Sequence, residues 1–508
     1  MKGNRYPWAA TLLLPFLLCA CVAGPPAGLG LAPGASATRQ VALTILQLND
    51  VYEITPVSGG KEGGLARVAT LRNELLAENP NTLTVLDGDL FSPSALGTAK
   101  VGGERLQGKQ IVATMNRVGL DYATFGNHEF DIQESAFLDR LKESRFAWIS
   151  SNVFDKRRMR FPGVMENRVV ELRSPGGTTV RIGLFGLTLD SNQAGYVTYG
   201  DVLETARAQV AALRDRTDIL IALTHLSAAD DVALAQAVPG IDLILGGHEH
   251  ENMQLWRGAA YVPIFKADAN ARTVYIHRLV YDADRRLLTV RSVLRRVTAE
   301  IPEDPATLAE VRHWQELGFA AFRAEGFEPE QLVATVPIPL DGLEASVRNR
   351  PTELTRLIAA SLLAAVPDAE LSLFNSGSIR IDDLLPPGPL TQFDIIRILP
   401  FGGRVCRADI DGALLRRVLD QGIANRGQGG FLQGAGVTKD DGVWRVNGAP
   451  LEDAHRYRMA TSDFLVSGRE QGLEFLSDMN PGLHVGCRQD SDVRFALRDY
   501  LHRTYGSR

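Results

Sequence analysis

The sequence predicts an α/β protein built on parallel βαβ units, followed by a second, smaller α+β domain. Two observations lead there. From Val41 to about Thr298, short β-branched and apolar runs alternate with longer amphipathic ones. Five acidic or histidine motifs each close an apolar run: Asp50, Asp87-Gly-Asp89, Gly126-Asn127-His128, Thr224-His225 and Gly246-Gly247-His248-Glu249-His250. A parallel sheet delivers groups at its strand ends into one crevice, which is where such motifs belong.

The first residues are a targeting segment. Lys2 and Arg5 precede the apolar stretch Ala9 to Ala20, which is too short to span a bilayer comfortably. Residues 1–20 are therefore predicted to be a signal peptide. Leu18-Cys19-Ala20-Cys21 is similar to a bacterial lipobox, which would make Cys21 the lipidated first residue; the alternative is an ordinary secretory signal cleaved near Ala35-Ser36-Ala37. Val22 after that cysteine fits outer-membrane sorting, so the expected location is the periplasmic face of a bacterial membrane, held by a lipid anchor. Residues 21–40, rich in Gly, Pro and Ala, are expected to form a flexible tether.

A catalytic domain is expected over residues 41–300. Its candidate strands are Leu43 to Leu48, Leu83 to Leu86, Tyr122 to Phe125, Val180 to Leu187, Ile219 to Thr224 and Ile241 to Leu245. Leu65 to Glu78 and Gly108 to Val118 carry helical spacing, and Pro80 stops the first of them. Residues 301–330, including the charged stretch Pro305 to Phe327, read as an interdomain linker helix and hinge. The second domain, 331–508, carries predicted helices over Thr352 to Val366, Asp409 to Ala424 and Ser491 to Arg503, with a Gly/Pro-rich segment from Asn375 to Pro389.

Composition narrows the partners. A chain of 508 residues with 45% hydrophobic and 22% charged residues can bury a large core. Its net charge of −6 offers no broad cationic surface, which argues against a polynucleotide partner while leaving room for a small nucleotide in a local basic pocket. Two of the four cysteines fall in the signal, leaving Cys406 and Cys487. Export favours their pairing, but sequence separation alone leaves a disulfide and two buried thiols both open.

The chemistry is that of hard divalent metals, which take carboxylate, amide oxygen and imidazole donors. Four of the nine histidines lie in the five motifs, each at a strand end, so the conjunction points to a binuclear site where scattered structural histidines would not. Asp89 would bridge two cations about 3.5 to 4 Å apart. Asp50 and His250 would hold one cation, and Asn127, His225 and His248 the other. Residues two apart on an extended segment face the same side, so His248 and His250 can serve neighbouring ions.

These blocks, with Gln47-Leu48-Asn49-Asp50 and Gly126-Asn127-His128-Glu129-Phe130-Asp131, resemble the calcineurin-like metallophosphoesterases, and specifically the 5′-nucleotidase family. The resemblance runs from about Val41 to the C-terminus. It implies a four-layer α/β sandwich, two divalent cations (Mn, Zn, Co or Mg) and a catalytic dyad at His128 and Asp131. A hydroxide held between two cations is a nucleophile near neutral pH. His128 would stabilise the transferring phosphoryl group or protonate the leaving alkoxide, with Asp131 orienting the ring.

Further blocks resemble the C-terminal domain of the same family: Asn375-Ser376-Gly377-Ser378-Ile379-Arg380, Leu399-Pro400-Phe401-Gly402-Gly403 and Thr461-Ser462-Asp463-Phe464-Leu465. They imply that Phe401 and Phe464 sandwich a nucleobase, that Arg380 and Arg350 hold phosphate, and that Asn375 touches base or sugar. Stacking on two rings tolerates any base, and guanidinium forks suit phosphate oxygens.

Three departures stand out. The first block usually reads Asp-x-His but here is Asp50-Val51-Tyr52, so the first cation either loses a ligand or gains Tyr52 or Glu53 in its place. A phenolate ligand occurs in the related purple acid phosphatases, which makes iron at the first position a further expectation. The block Gly-Gly-Asp-Gly-Phe becomes Gly468-Arg469-Glu470-Gln471-Gly472, which would reshape the sugar subsite, and a Gly-Asn-Leu block after Glu353 is shortened.

The leading expectation is an exported hydrolase releasing phosphate from nucleoside 5′-monophosphates or related nucleotides. A 2′,3′-cyclic-nucleotide phosphodiesterase or nucleotide-sugar pyrophosphatase is a second reading. A nucleotide-binding surface lipoprotein without turnover is a third, against which the retention of both His128 and Asp131 argues.

Overall fold

Along the first strand, side chains alternate between two apolar environments: Leu43 and Ile45 point one way, Leu46 and Leu48 the other. That double burial places the strand inside a layered structure. The computed structural model of the protein describes residues 39–506. The predicted signal peptide, Cys21 and almost all of the tether lie outside the described residues.

The catalytic half contains twelve principal strands: β1 (Gln40–Leu48), β2 (Thr82–Asp87), β3 (Tyr122–Thr124), β4 (Ala147–Trp148), β5 (Asn167–Arg173), β6 (Thr179–Thr188), β7 (Ile219–His225), β8 (Leu243–Gly246), β9 (Met253–Arg257), β10 (Val262–Lys266), β11 (Thr273–Asp282) and β12 (Leu287–Arg296). They form two six-stranded sheets, ordered β12-β11-β1-β2-β3-β4 and β5-β6-β7-β8-β10-β9. The centre of each is parallel. Antiparallel strands flank one side of the first sheet, β11 and β12, and both sides of the second, β5 and β9.

Leu43, Ile45 and Val85 of the first sheet meet Ile182, Ile221 and Leu243 of the second in a core between the sheets. Helices α1 (Leu65–Glu78), α2 (Lys109–Val118) and α3 (Glu134–Glu143) cover the first sheet, and α4 (Val202–Leu213) and α5 (Ala228–Ala237) the second. The result is the four-layer sandwich that the resemblance implies. Every strand proposed from the sequence is present within three residues at each end. The hairpin β11–β12 is not among the expected strands; its turn, Ala283-Asp284-Arg285-Arg286, carries only Asp284 as a turn signal and no Gly, Pro or Asn.

The predicted linker helix is α6 (Pro305–Ala324), capped by Asp304, whose side chain accepts from the Thr307 N–H. Its Val311, Phe319 and Phe322 are buried in the same core as α1 and α2. Phe319 packs against Phe393 of the second domain at 4.8 Å between ring centroids. The helix is thus a packed part of the first sheet's outer layer, shared with the second domain.

The second domain carries α7 (Glu353–Ala365), β13 (Leu371–Asn375), α8 (Gln392–Ile398), β14 (Val405–Asp411), α9 (Gly412–Ala424), β15 (Leu432–Ala435), β16 (Arg456–Ser462), β17 (Leu483–Cys487) and α10 (Val493–Tyr505). Its sheet order is β15-β13-β16-β14-β17. Thr352 caps α7 through a reciprocal box with Thr355. The helix expected from Asp409 begins instead at Gly412, because Asp409-Ile410-Asp411 complete strand β14. Cys406 and Cys487 stand opposite each other on β14 and β17 and are disulfide-bonded.

Candidate metal centre and substrate cleft

The parallel strands end at one rim, and the candidate donors follow directly. Asn49 and Asp50 come after β1, Gly88 and Asp89 after β2, and Asn127 and His128 shortly after β3; His225 ends β7, and His248 and His250 follow β8. Asp50, Asp89, His248 and His250 all adopt positive φ, at 51°, 60°, 95° and 60°. Four non-glycine residues held in that sparsely populated region mark a site whose geometry the surrounding fold imposes. A side chain at Gly88 would place its Cβ 2.4 Å from His225 Nδ1, and one at Gly126 would lie 2.1 Å from Asp89 Oδ1. Glycine at both positions lets backbone and donors meet.

Asp50, Asp89 and His250 offer donor atoms that all lie within 4.8 Å of one another. Tyr52 reaches into that group. Its hydroxyl is 2.9 Å from Asp89 Oδ2, 2.9 Å from His250 Nε2 and 3.4 Å from Asp50 Oδ1. Glu53, the other substitute considered for the absent histidine, points elsewhere, accepting a hydrogen bond from the Ala95 N–H. On the second side, His225 Nε2 lies 3.3 Å from Asp89 Oδ2, and the His225 and His248 rings are 5.3 Å apart. Asp89 faces both groups, as a bridging carboxylate must.

Two features test whether these residues suit cations. Asn127 Oδ1 is a buried atom with no hydrogen-bond partner, which is rare, and His225 Nε2, equally buried, faces the Asp89 carboxylate at 3.3 Å. The electrostatics agree. Burial works against the His225 imidazolium, yet Asp89 and Asp50 outweigh it and push its pKa up to about 9. Burial and the neighbouring His225 charge push His248 down to about 4. Carboxylates sealed from water here draw positive charge to themselves, and divalent cations meet that demand. The donor set mixes carboxylates, an amide oxygen and imidazoles, which fits hard or borderline divalent metals.

Several residues that the sequence reading assigned no role support the site. Glu129 is fully buried and accepts from the N–H groups of Asp89, Leu90, Phe91 and Gly126, fixing the loop that carries Asp89. Burial and the Asp89 charge push its pKa up to about 7. Lys266, 1% exposed, donates to the carbonyls of Leu226 and Gly247 and pairs with Asp231 and Glu249, pinning the turns beside His225 and His248. A lysine closing the apolar run Val262-Pro-Ile-Phe-Lys266 was the available signal. His225 Nδ1 is fixed by the Asp87 carbonyl at 2.8 Å.

His128 Nδ1 sits 2.6 Å from Asp131 Oδ2, and its backbone N–H donates to Asp89 Oδ1 at 2.8 Å. Burial disfavours the imidazolium, but Asp131 and Asp89 outweigh it, so its pKa is raised. Asn192 donates to Asp131 Oδ1 and to the Asn127 carbonyl, tying the dyad to a candidate metal donor.

The domains meet over a cleft of about 820 Å³, lined by Asp89, His128 and His250 from one side and by Arg348, Arg380 and Asp382 from the other. Arg380 and Glu470 also line a cavity of about 570 Å³ walled by Asn375, Phe401 and Phe464. Phe401 and Phe464 are 47% and 36% exposed and both face this cavity. Arg380 lies over the Phe401 ring at 5.6 Å and Arg469 over the Phe464 ring at 5.3 Å. Glu470 accepts from the Asn375 amide at 2.6 Å. Arg350 does not join this group: Asp341 draws its guanidinium away at 3.0 Å and the side chain is 63% exposed, so of the two neighbouring arginines it is Arg348, two residues earlier, that lines the cleft with Arg380.

Comparison with known proteins follows the same division. A calcineurin-like phosphoesterase profile matches residues 43–252, and a 5′-nucleotidase C-terminal domain profile matches residues 332–477. The chain is 26% identical to the trifunctional nucleotide phosphoesterase protein YfkN of Bacillus subtilis across 87% of its own length, spanning 33% of that protein. It is 26% identical to the 5′-nucleotidase of Vibrio cholerae, with 96% of each covered. The solved structure of a 5′-nucleotidase precursor from Thermus thermophilus has the same fold, with a TM-score of 0.73 and 24% identity over 92% of this chain and 97% of that one. Taken with the donor-lined rim and the two-domain cleft, these matches place the chain in the 5′-nucleotidase family of metal-dependent phosphoester hydrolases.

Proposed function

We propose that the protein removes phosphate from nucleoside 5′-monophosphates or closely related nucleotides outside the cytoplasm. The observation that carries this reading is the adjacency of the two cavities, which share Arg380, Gly429 and Glu470 in their walls. A phosphate at the metal donors and a base between Phe401 and Phe464 would belong to one ligand.

Asp50, Tyr52, Asp89 and His250 would hold a first divalent cation, and Asp89, Asn127, His225 and His248 a second. Such a pair supplies Lewis acidity to phosphoryl oxygens and activates water. Manganese, zinc, cobalt and magnesium all suit the second donor set, and a phenol at the first adds iron to that list. His128, its charged form favoured by Asp131, would steady the equatorial oxygens and return a proton to the leaving alkoxide. Arg348 and Arg380 would take the phosphate, Asn375 and Glu470 the sugar.

The Cys406–Cys487 bond supports an oxidising compartment, in keeping with export and anchoring through Cys21. Phosphate release from AMP by metal-reconstituted protein tests the reaction. His128→Ala should lower turnover by roughly 10² to 10⁴-fold while two cations still bind; AMP bound tightly without any phosphate release by the wild type would mean a receptor instead. Incorporation of labelled fatty acid, lost in Cys21→Ser, tests the anchor.

A further inference from the structure

Two consecutive carboxylates of the second domain grip the catalytic domain. Asp383 accepts from the N–H and the hydroxyl of Ser58, each at 2.8 Å. Asp382, with φ at 37°, accepts from the Glu344 N–H at 2.8 Å and lies 3.3 Å from the Arg272 guanidinium, which also donates to its carbonyl. Its remaining contact is with the candidate metal donors: Asp382 Oδ2 is 3.0 Å from Nδ1 of His250. The other nitrogen of that ring, Nε2, faces the Tyr52 hydroxyl at 2.9 Å and Asp50 Oδ1 at 3.4 Å.

A carboxylate from one domain therefore stands behind an imidazole of the other, whose far nitrogen points into the donor group. Metal-ligating histidines need their second nitrogen held by an acceptor, which fixes the ring's rotation and keeps the proton off the coordinating nitrogen. His225 has such an acceptor within its own domain, the Asp87 carbonyl. For His250 the acceptor is supplied across the interface.

We propose that Asp382 is a positioning residue for the first cation, so that cation binding and seating of the second domain on the first are thermodynamically linked. The inference rests on His250 being a ligand. Linkage is reciprocal: whatever factor docking contributes to cation affinity, the cation contributes to docking.

The test is calorimetric titration of metal-free full-length protein with Mn²⁺, alongside small-angle scattering with and without the ion. Asp382→Asn, nearly isosteric, should weaken the first cation tenfold or more and leave the second unchanged, within the roughly 10- to 100-fold range typical of such outer partners. Mn²⁺ should compact the wild type and fail to compact this variant. Two cations bound by Asp382→Asn with wild-type affinity would overturn the proposal. His250→Ala separates the two readings: loss of one cation there with no effect of Asp382→Asn sinks only the linkage, whereas two cations retained by His250→Ala sinks the ligand assignment itself. Should Asp382→Asn unfold, Arg272→Gln, which loosens the same carboxylate without touching His250, must weaken the first cation for the proposal to stand.

Discussion

His128 Nδ1 and Asp131 Oδ2 are 2.6 Å apart, and the carboxylate's other oxygen takes a hydrogen bond from Asn192. This arrangement fixes a pH dependence. The pKa of His128 is raised, so its charged form persists to higher pH than that of a free imidazole, and activity that needs the imidazolium falls as pH rises through that value. Asp131→Asn removes the nearest negative charge and should move the alkaline limb of kcat to lower pH. His128→Ala should lower kcat by roughly 10² to 10⁴-fold. An alkaline limb unmoved in Asp131→Asn would rule out the pairing as its origin.

Tyr52 offers a second test, because its hydroxyl occupies the space between Asp50, Asp89 and His250. Without a cation, burial and then the Asp89 and Asp50 charges keep the phenol neutral. Tyr52→Phe keeps the ring beside His250 and removes only the oxygen. Cation affinity at the first position should drop, and iron-loaded wild type should show a visible phenolate charge-transfer band that the variant lacks. An identical spectrum in the two proteins would exclude coordination by Tyr52.

The aromatic cavity predicts a binding effect more than a rate effect. Phe401→Ala or Phe464→Ala removes one stacking surface worth about 1 to 3 kcal/mol, which corresponds to a rise of roughly 5- to 150-fold in KM for AMP. Hydrolysis of p-nitrophenyl phosphate, which lacks a nucleobase, should be nearly unaffected in the same variants.

Lys266 and Asp231 form an ion pair at 2.9 Å with almost no exposure. Replacing the lysine by methionine strands a buried carboxylate, a change that destabilises by about 3 to 5 kcal/mol. The urea midpoint of unfolding should fall accordingly, and its partial recovery in the double variant Lys266→Met, Asp231→Leu, which leaves Glu249 unpaired, would identify the stranded Asp231 charge as a cause.

His277 is buried between Gln47 and Ser292, and burial pushes its pKa down to about 3. The unfolded chain protonates near pH 6.5, so between those values the unfolded state binds the extra proton. Stability present above pH 6.5 is therefore lost as pH falls, by up to about 1.4 kcal/mol per pH unit. Its ring resonances should remain those of a neutral imidazole at about pH 5; a titration near the ordinary imidazole value would contradict the burial argument.

Much of this was legible in the chain itself because strand-end donors are local: a β-run followed by Asp, Asn or His announces both the element and its chemistry. Asp50, Asp89, Asn127, His225, His248 and His250 converge for that reason. What depends on relations between distant segments was not legible. Arg348 and Arg350 carry the same side chain two residues apart, and only the position of Asp341 decides which one faces the cleft. Asp382 reaches His250 across 132 residues of sequence, and Glu129 acts through four backbone amides that no residue pattern encodes. The register that sets Cys406 opposite Cys487 is likewise a property of the assembled sheet.

That covalent tie spans 81 positions of sequence, and Phe464, Arg469 and Glu470 all lie on the stretch it encloses. Closing a loop of that size restricts the unfolded chain by about 4 to 5 kcal/mol on entropic grounds. Opening it with a thiol reductant would return that freedom to the unfolded chain and so lower the stability of the second domain, whereas the candidate metal donors all lie outside the enclosed stretch.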